Sequence, residues 1–331
     1  MIKSCSMEIQ NGEANMKYRR LGGSGLKVSE FSLGSWLTYG GGIDGRQSER
    51  IIDKAYELGI NLFDTANCYH QGEAEQVVGK ALSKYRRDSY VVATKVCVPM
   101  GDGPNDRGLS RKHIREQCDA SLKRLGVEYI DLYQCHRYDD DTPLEETLRA
   151  MDDLIRQGKV LYTGVSMWRA DQLLDAVHTA KVLNLNRIVA NQPQYHMFRR
   201  GIEKEIVPVC QREGIGQLVF SPLAQGILTG KYKPGMPIPT DSRAADPLMN
   251  GAIFNFMKED LLIKVEKLGE IAKRNELSLA QLALAWILRL EQVASCIIGA
   301  SRPEQVEENV KASGIKLAEA DLLEIDVILA S

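Results

Sequence analysis

No stretch of about twenty apolar residues occurs in this 331-residue chain, so no membrane-spanning helix is expected. The N-terminus lacks the apolar core of a signal peptide, and residues 1–15 are polar and unpatterned, which predicts a disordered extension before a single domain over 16–331. No charge excess exists either: 42 Lys and Arg stand against 44 Asp and Glu, which excludes whole-chain attraction to nucleic acid or to an anionic membrane. The seven cysteines (Cys5, Cys68, Cys97, Cys118, Cys135, Cys210 and Cys296) are odd in number and never spaced as CxxC. That pattern fits reduced thiols in a cytosolic, cytoplasmic protein better than a disulfide frame. Also missing is a Gly-x-Gly-x-x-Gly directly after an early strand, which a doubly wound dinucleotide-binding sheet needs. Gly22-Gly-Ser-Gly25 and Gly40-Gly-Gly42 read instead as flexible turns. Metal-ligand spacing is absent among His70, His113, His178 and His196. Cys135 and His136 are neighbours on one predicted strand and so face opposite ways. No metal site is expected.

What the chain does have is repetition. Seven apolar runs each end on a polar residue: Ile60–Asp64, Tyr90–Lys95, Ile130–His136, Tyr162–Ser166, Ile188–Gln192, Leu218–Ser221 and Cys296–Ser301. Between them lie segments of helical periodicity at Ser48–Leu58, Ala74–Tyr85, Lys112–Leu125, Leu144–Gln157, Ala170–Leu183 and Ile202–Arg212. Thr142-Pro-Leu-Glu-Glu146 has the form of a helix start, with a capping hydroxyl, an early proline and acids in the first turn. Gly59, Gly126, Gly158 and Gly214 sit where left-handed helix caps belong. The endings at 64, 95, 136, 166, 192 and 221 are 31, 41, 30, 26 and 29 residues apart, close to the ~30 of one βαβ repeat. With Phe31–Gly34 in front, eight strands result, and the fold expected is a (β/α)₈ barrel. Tyr18–Val28 predicts a hairpin capping the barrel's N-terminal end, and Tyr232–Asn255 a long surface loop over the strand ends. Helices are expected at Leu261–Arg274 and Leu279–Leu290.

In such a barrel the functional groups gather where the strands end. Asp64, Tyr69, Lys95 and His136 stand at or just beyond strand ends and form an acid–base set. Tyrosine exchanges protons poorly near neutrality unless a cation favours its phenolate. Lys95 supplies that cation, and Asp64 would keep it charged among apolar neighbours. A histidine within reach of the same oxygen can polarise and orient a carbonyl. Taken singly, a strand-end aspartate is more often a turn residue and a histidine more often a core residue; the lysine is the one hardest to explain without a partner.

These residues carry a resemblance. Gly59-Ile-Asn-Leu-Phe-Asp-Thr-Ala-Asn-Cys-Tyr69 with Gly72-Glu-Ala-Glu75, Ala93-Thr-Lys95, Gly108-Leu-Ser-Arg-Lys112, Thr142–Glu146, Gly164-Val-Ser-Met-Trp168, Ser221-Pro-Leu-Ala-Gln-Gly226, Gly230-Lys-Tyr232 and Gly299-Ala-Ser301 together resemble the aldo-keto reductases. The branch resembled includes the β subunits of voltage-gated potassium channels and their bacterial relatives. The match runs from about Met16 to the end. The resemblance implies an NADPH-dependent reductase of aldehydes, dicarbonyls or ketones, with Tyr69 as proton donor, Lys95 and Asp64 tuning it, and His136 orienting the small carbonyl substrate. It further implies Ser166, Asn191 and Gln192 around the nicotinamide carboxamide, Trp36 near the ring and the substrate mouth, and Phe220 against the ring. Ser221, Leu223, Gly226 and Lys231 would follow the pyrophosphate. Arg243, Ser301, Arg302, Gln305, Glu308 and Asn309 would take the adenosine end, with Arg243, Ser301 and Arg302 as candidates for the 2′-phosphate. His70-Gln71 departs from the glycine or small residues of many relatives, Gln225 lies inside the Ser-Pro-Leu-Ala-x-Gly loop, and His70, Met100, Tyr138 and Trp168 are candidates for the mouth, with packing the equal alternative for Met100 and Trp168. Relatives assemble as tetramers or larger, so a homo-oligomer is expected. Two alternatives remain: a channel β subunit with little turnover, and an aldolase or isomerase using Lys95 as a Schiff base.

Overall fold

Runs rich in Val, Ile and Leu become buried parallel strands because both of their faces can be covered. The computed structural model describes residues 16–330 other than 248; the segment 1–15, read above as an extension, lies outside the described residues. An antiparallel pair comes first, β1 (Tyr18–Arg20) and β2 (Lys27–Ser29). Then strands and helices alternate: β3 (Phe31–Gly34), α1 (Gly45–Glu57), β4 (Leu62–Asp64), α2 (Glu73–Leu82), β5 (Val91–Val96), α3 (Arg111–Leu125) and β6 (Ile130–Cys135). The series continues through α4 (Leu144–Arg156), β7 (Val160–Ser166), α5 (Ala170–Val182), β8 (Ile188–Gln192), α6 (Ile206–Glu213) and β9 (Gly216–Phe220). After a long connection come α7 (Glu259–Arg274), α8 (Leu279–Leu288), β10 (Val293–Ile298), α9 (Pro303–Val310) and α10 (Glu319–Ala330). Strands β3 to β10 close into a parallel eight-stranded barrel in the order β10, β3, β4, β5, β6, β7, β8, β9. This is the (β/α)₈ architecture that the repeat predicts.

Strand alternation sorts the core into two layers. Leu62, Ala93, Leu132, Ala190, Leu218 and Ala294 point into the barrel and pack together, whereas Phe63, Val92, Tyr133 and Cys135 pack outward with helix residues such as Ile51 and Ile114. Two residues beyond Leu62, Ala93 and Leu132, on the same inward face, stand Asp64, Lys95 and Gln134. The register places Asp64 beside Ala93 and Lys95 beside Gln134. A polar tier thus sits directly above an apolar one.

The apolar tier is closed from below by the hairpin. Its Leu21 and Val28 are fully buried within the inner layer. Gly23 N donates to Gly214 O at 2.8 Å. The Arg19 guanidinium donates to the carbonyls of Leu288, Leu290 and Val293 at 2.8–3.1 Å.

Several local expectations meet different outcomes. Gly59, Gly126, Gly158 and Gly214 all take positive φ, +66° to +84°, as left-handed caps. Thr142 does not cap α4: Pro143 stands at the N-cap, and the Thr142 hydroxyl donates to Asp139 Oδ2 at 2.7 Å. The last barrel strand ends at Ile298, so Gly299–Ser301 is a turn leading into α9. Helix α10, unanticipated, packs on α7. The segment 232–255 is not a simple surface loop, because Tyr232, Ala244 and Ile253 are buried and the Tyr232 hydroxyl accepts from Ala244 N at 3.3 Å.

Gly22 is where the plug meets the barrel. At φ +58°, an added Cβ would stand 2.3 Å from Gly214 O and 2.6 Å from Gly216 N, both backbone atoms that cannot yield. Gly22→Ala is therefore expected to cost about 1–3 kcal/mol and to lower the thermal unfolding midpoint, while Gly25→Ala, which meets open space, leaves it nearly unchanged. Calorimetry of the pair checks this; equal midpoints would remove the plug from the account of stability.

Candidate active site

At the C-terminal rim the strand ends bring three of the four acid–base residues into direct contact. Lys95, fully buried, donates from Nζ to Asp64 Oδ2 at 2.6 Å, to the Thr65 carbonyl at 2.7 Å and to the Tyr69 hydroxyl at 3.5 Å. The ammonium also lies 5.1 Å from the Tyr69 ring centroid. Asp64 is held in turn: its Oδ1 accepts from Gln192 Nε2 at 2.8 Å and, more weakly, from Gln134 Nε2 at 3.5 Å. His136, just past β6, donates its backbone N–H to Val96 O at 2.8 Å, and its ring meets Tyr69 edge-on at 5.6 Å between centroids.

The electrostatics follow from these positions. Burial pulls the Lys95 ammonium down, but the Asp64 carboxylate, with Tyr69, outweighs it, and the net shift is upward. Burial pushes the Tyr69 phenol up to about 12, against the pull of Lys95. Burial, with Lys95 and Arg137 adding to it, drops His136 to about 2. Near neutrality the site therefore holds a charged lysine, a protonated phenol and a neutral imidazole.

Tyr69 is delivered by a strained turn. Across Tyr69–Gly72 the backbone is kinked, because His70 (φ 46°) and Gln71 (φ 53°) adopt the left-handed region. The Gly40-Gly-Gly42 segment is more than a flexible turn: a Cβ on Gly41 would stand 2.4 Å from the His70 ring, and one on Gly42 would stand 2.0 Å from Leu37 O. Gly42 has no room for a side chain against the Leu37 carbonyl, and Gly41 lets the loop lie close to the His70 ring.

The other expected site residues fall into three groups. Ser166, Asn191 and Gln192 lie at the adjoining ends of β7 and β8, paired Ser166 to Gln192 in register. The Ser166 hydroxyl donates to the Gln192 carbonyl at 2.9 Å. Asn191 is fully buried, donates to Gln217 Oε1 at 3.3 Å, and leaves its Oδ1 unpartnered among the described residues. Phe220 ends β9, half-buried, and Trp36 is 42% exposed beyond β3.

The second group is tied together by Gln225. Its Nε2 donates to Ser221 Oγ, and its Oε1 accepts from Arg243 Nη1, both at 2.7 Å. Ser221, Ala224 and Gln225 all have positive φ, as does Gly226, in the turn that carries Leu223 and leads to Lys231. Burial lowers the Arg243 guanidinium somewhat, and among the described residues it forms no ion pair with a carboxylate.

The third group stands at the start of α9. Ser301 N and Oγ donate to Gln305 Oε1, at 2.8 and 3.3 Å. Glu308 accepts from Gln281 Nε2 at 3.0 Å and pairs with Lys311 at 3.3 Å, while Asn309 is buried. Arg302 is the N-cap residue, without a side-chain cap bond. No hydrogen bond among the described residues joins this group to Arg243.

Of the candidates for the mouth, Trp168 is 1% exposed and packs edge-on against Tyr138 at 4.7 Å, so it is a core residue. Three participants were not anticipated: the Thr65 carbonyl, Gln134, and Cys68, whose Sγ stands 3.6 Å from His136 Nδ1. Gln134 was open to discovery, since it lies two residues before His136 and so shares its strand face. The Thr65 carbonyl carries no side-chain signal.

Fold and site define a (β/α)₈ barrel with a buried lysine, aspartate and histidine and a partly buried tyrosine at the C-terminal ends of its strands. The model of the aldo/keto reductase family matches residues 30–330, and the chain belongs to that family. It is 44% identical to a probable voltage-gated potassium channel subunit beta of Arabidopsis thaliana over 300 residues, 90% of this chain and 91% of that protein. It is equally 44% identical to a putative voltage-gated potassium channel subunit beta of Schizosaccharomyces pombe over 322 residues, covering 95% and 94%. A probable subunit of the same kind from Oryza sativa subsp. japonica is 43% identical over 300 residues, 90% and 91% of the two chains.

The Lys95–Asp64 pair makes a stability prediction with a definite sign. Because the folded ammonium is raised above its unfolded range, its contribution is fully present below lysine's unfolded pKa of about 10.4 and is lost as pH rises through the higher folded value. Asp64→Asn breaks the buried pair and is expected to cost about 3–5 kcal/mol at neutral pH, with the deficit shrinking at strongly alkaline pH. Denaturant unfolding at several pH values reads this; a pH-independent deficit would mean that packing rather than charge is lost.

Proposed function

We propose that this protein is an NADPH-dependent reductase that converts aldehydes, dicarbonyls or ketones to alcohols, with Tyr69 as the proton donor. The observation that supports it most is the Tyr69 hydroxyl 3.5 Å from a fully buried ammonium that a carboxylate holds at 2.6 Å. That arrangement stabilises a developing phenolate at the moment the proton leaves.

The residues suit the cofactor. The unpartnered, buried Asn191 Oδ1 is an acceptor for the N–H of a carboxamide, Ser166 keeps lone pairs for it, and Phe220 offers an aromatic surface beside them. Arg243, charged and hydrogen-bonded only to the neutral Gln225 amide among the described residues, fits an anionic phosphate group. Ser221, Leu223, Gly226 and Lys231 line the same turn for a pyrophosphate. Ser301, Arg302, Gln305, Glu308 and Asn309 would take the adenosine end from α9. A bound nicotinamide supplies hydride; the protein supplies position and charge.

In this reading the substrate carbonyl oxygen lies between Tyr69 and His136. His136, neutral above pH of about 2, orients that oxygen without competing for the proton. Tyr69 carries its proton up to about 12 and delivers it as negative charge develops on the oxygen. Lys95 then stabilises the phenolate, and Asp64, held by Gln192, keeps Lys95 charged. The Schiff-base alternative loses ground here, because a nucleophilic lysine needs a lowered pKa and access, whereas Lys95 is raised and sealed.

A second reading comes from the relatives, which are named as channel β subunits: the barrel would then bind cofactor as a partner of a membrane protein, with little turnover. Loss of NADPH absorbance at 340 nm with methylglyoxal and 4-nitrobenzaldehyde separates the two. Turnover is expected in the wild type, and Tyr69→Phe is expected to lower kcat by about 10²–10⁴-fold while NADPH still binds. Tight NADPH binding without turnover would favour the partner protein, and unchanged turnover in Tyr69→Phe would sink the mechanism.

In this reading Arg243, with Ser301 and Arg302, carries the preference for NADPH over NADH. Arg243→Leu removes a charge-assisted hydrogen bond worth about 1.5–3 kcal/mol, so the Kd for NADPH should rise by about 10- to 150-fold, with a much smaller change for NADH. Fluorescence titration with both nucleotides checks it; equal losses would assign Arg243 to a part common to both.

A further inference from the structure

His136 has one ring hydrogen-bond contact among the described residues, and it is not with Tyr69 or Lys95. It is Cys68, whose Sγ lies 3.6 Å from Nδ1. Cys68 precedes Tyr69 and stands at the head of the turn that delivers it, so one short segment presents a thiol and a phenol to the same imidazole. His136 is 8% exposed, and its ring meets Tyr69 edge-on at 75°. A neutral imidazole has one N–H and one lone pair, and the partner of one nitrogen decides what the other can do.

The direction of the contact follows from chemistry. Burial pushes the Cys68 thiol above its ordinary range and keeps His136 neutral, so one proton sits on sulfur and one on the ring. Sulfur is a weak acceptor and an imidazole lone pair a good one, which favours S–H donating to Nδ1 over Nδ1–H donating to sulfur. The ring proton then belongs to Nε2.

We infer that Cys68 is a positioning residue that donates its thiol hydrogen to His136 Nδ1 and thereby presents Nε2–H as the donor to the substrate carbonyl oxygen. The task of Nε2–H rests on the reductase reading above; the tautomer does not. A hydroxyl can replace the thiol as a donor, whereas a valine side chain of similar bulk cannot.

The test is two-bond ¹H–¹⁵N correlation NMR of ¹⁵N-histidine-labelled protein, alongside steady-state kinetics with NADPH and methylglyoxal. The wild type and Cys68→Ser should both show His136 with Nδ1 bare and Nε2 protonated. Cys68→Val should show a mixture of tautomers and a kcat lower by about tenfold, the low end of what outer partners of a functional histidine contribute, with KM little changed. A protonated Nδ1 in the wild type, or a Cys68→Val ring still purely Nε2–H with wild-type kcat, would overturn the inference. If the wild type shows no reductase turnover while the tautomer shifts in Cys68→Val, the positioning role stands and the reductase reading fails.

Discussion

An ammonium group with no solvent exposure organises this molecule's functional end. Lys95 could not stay charged inside a barrel without Asp64 at 2.6 Å and the Thr65 carbonyl at 2.7 Å. Asp64 in turn depends on Gln192, which sits across the barrel on β8. The pair thus ties β4, β5 and β8 together at one level, directly above the apolar tier that the hairpin closes. Stability and chemistry draw on the same contact: the carboxylate that offsets burial of the lysine also fixes the charge that Tyr69 faces.

The same low-dielectric setting sorts the three titratable partners. Burial disfavours whichever form is charged, so it raises the phenol and lowers the imidazole, and only the lysine, with a carboxylate beside it, escapes that rule. Lys95 itself reinforces the neutrality of His136, as a nearby positive charge makes a second one costlier. One buried cation therefore yields a protonated acid and an uncharged orienting group, with no need for either to titrate near neutrality.

Much of this could be read from the residues, and the reasons for the exceptions are physical. Eight strands and most helices follow from periodicity and from glycines at left-handed caps, which are local signals. The tetrad follows from polar residues at the ends of apolar runs, because alternation fixes which side chains face inward. The misses are non-local or backbone-borne. Thr142 is drawn away from its helix by Asp139. The Thr65 carbonyl that completes the lysine's shell has no side chain to announce it. The 232–255 segment looks like loop by composition, yet Tyr232, Ser242, Ala244 and Ile253 reach the interior.

Two turns at the functional end hold non-glycine residues in the left-handed backbone region. His70 and Gln71 occupy positive φ beside Tyr69, and Gln225 does so beside Ser221. Each non-glycine residue held there costs on the order of 1 kcal/mol or more, which surrounding contacts must offset. For Gln225 the offset is visible: its amide bonds both Ser221 and Arg243, so the side chain that strains the turn also spans the gap between two candidate phosphate contacts. For His70 it is the Gly40–Gly42 loop, which lies so close to the imidazole that a Cβ on Gly41 would stand 2.4 Å from the ring. A glycine at either position would relieve the backbone but remove the cross-link, leaving the turns that hold Tyr69 and Ser221 less firmly defined. In this chain, precision at those two turns is obtained through side-chain contacts rather than through a relaxed backbone.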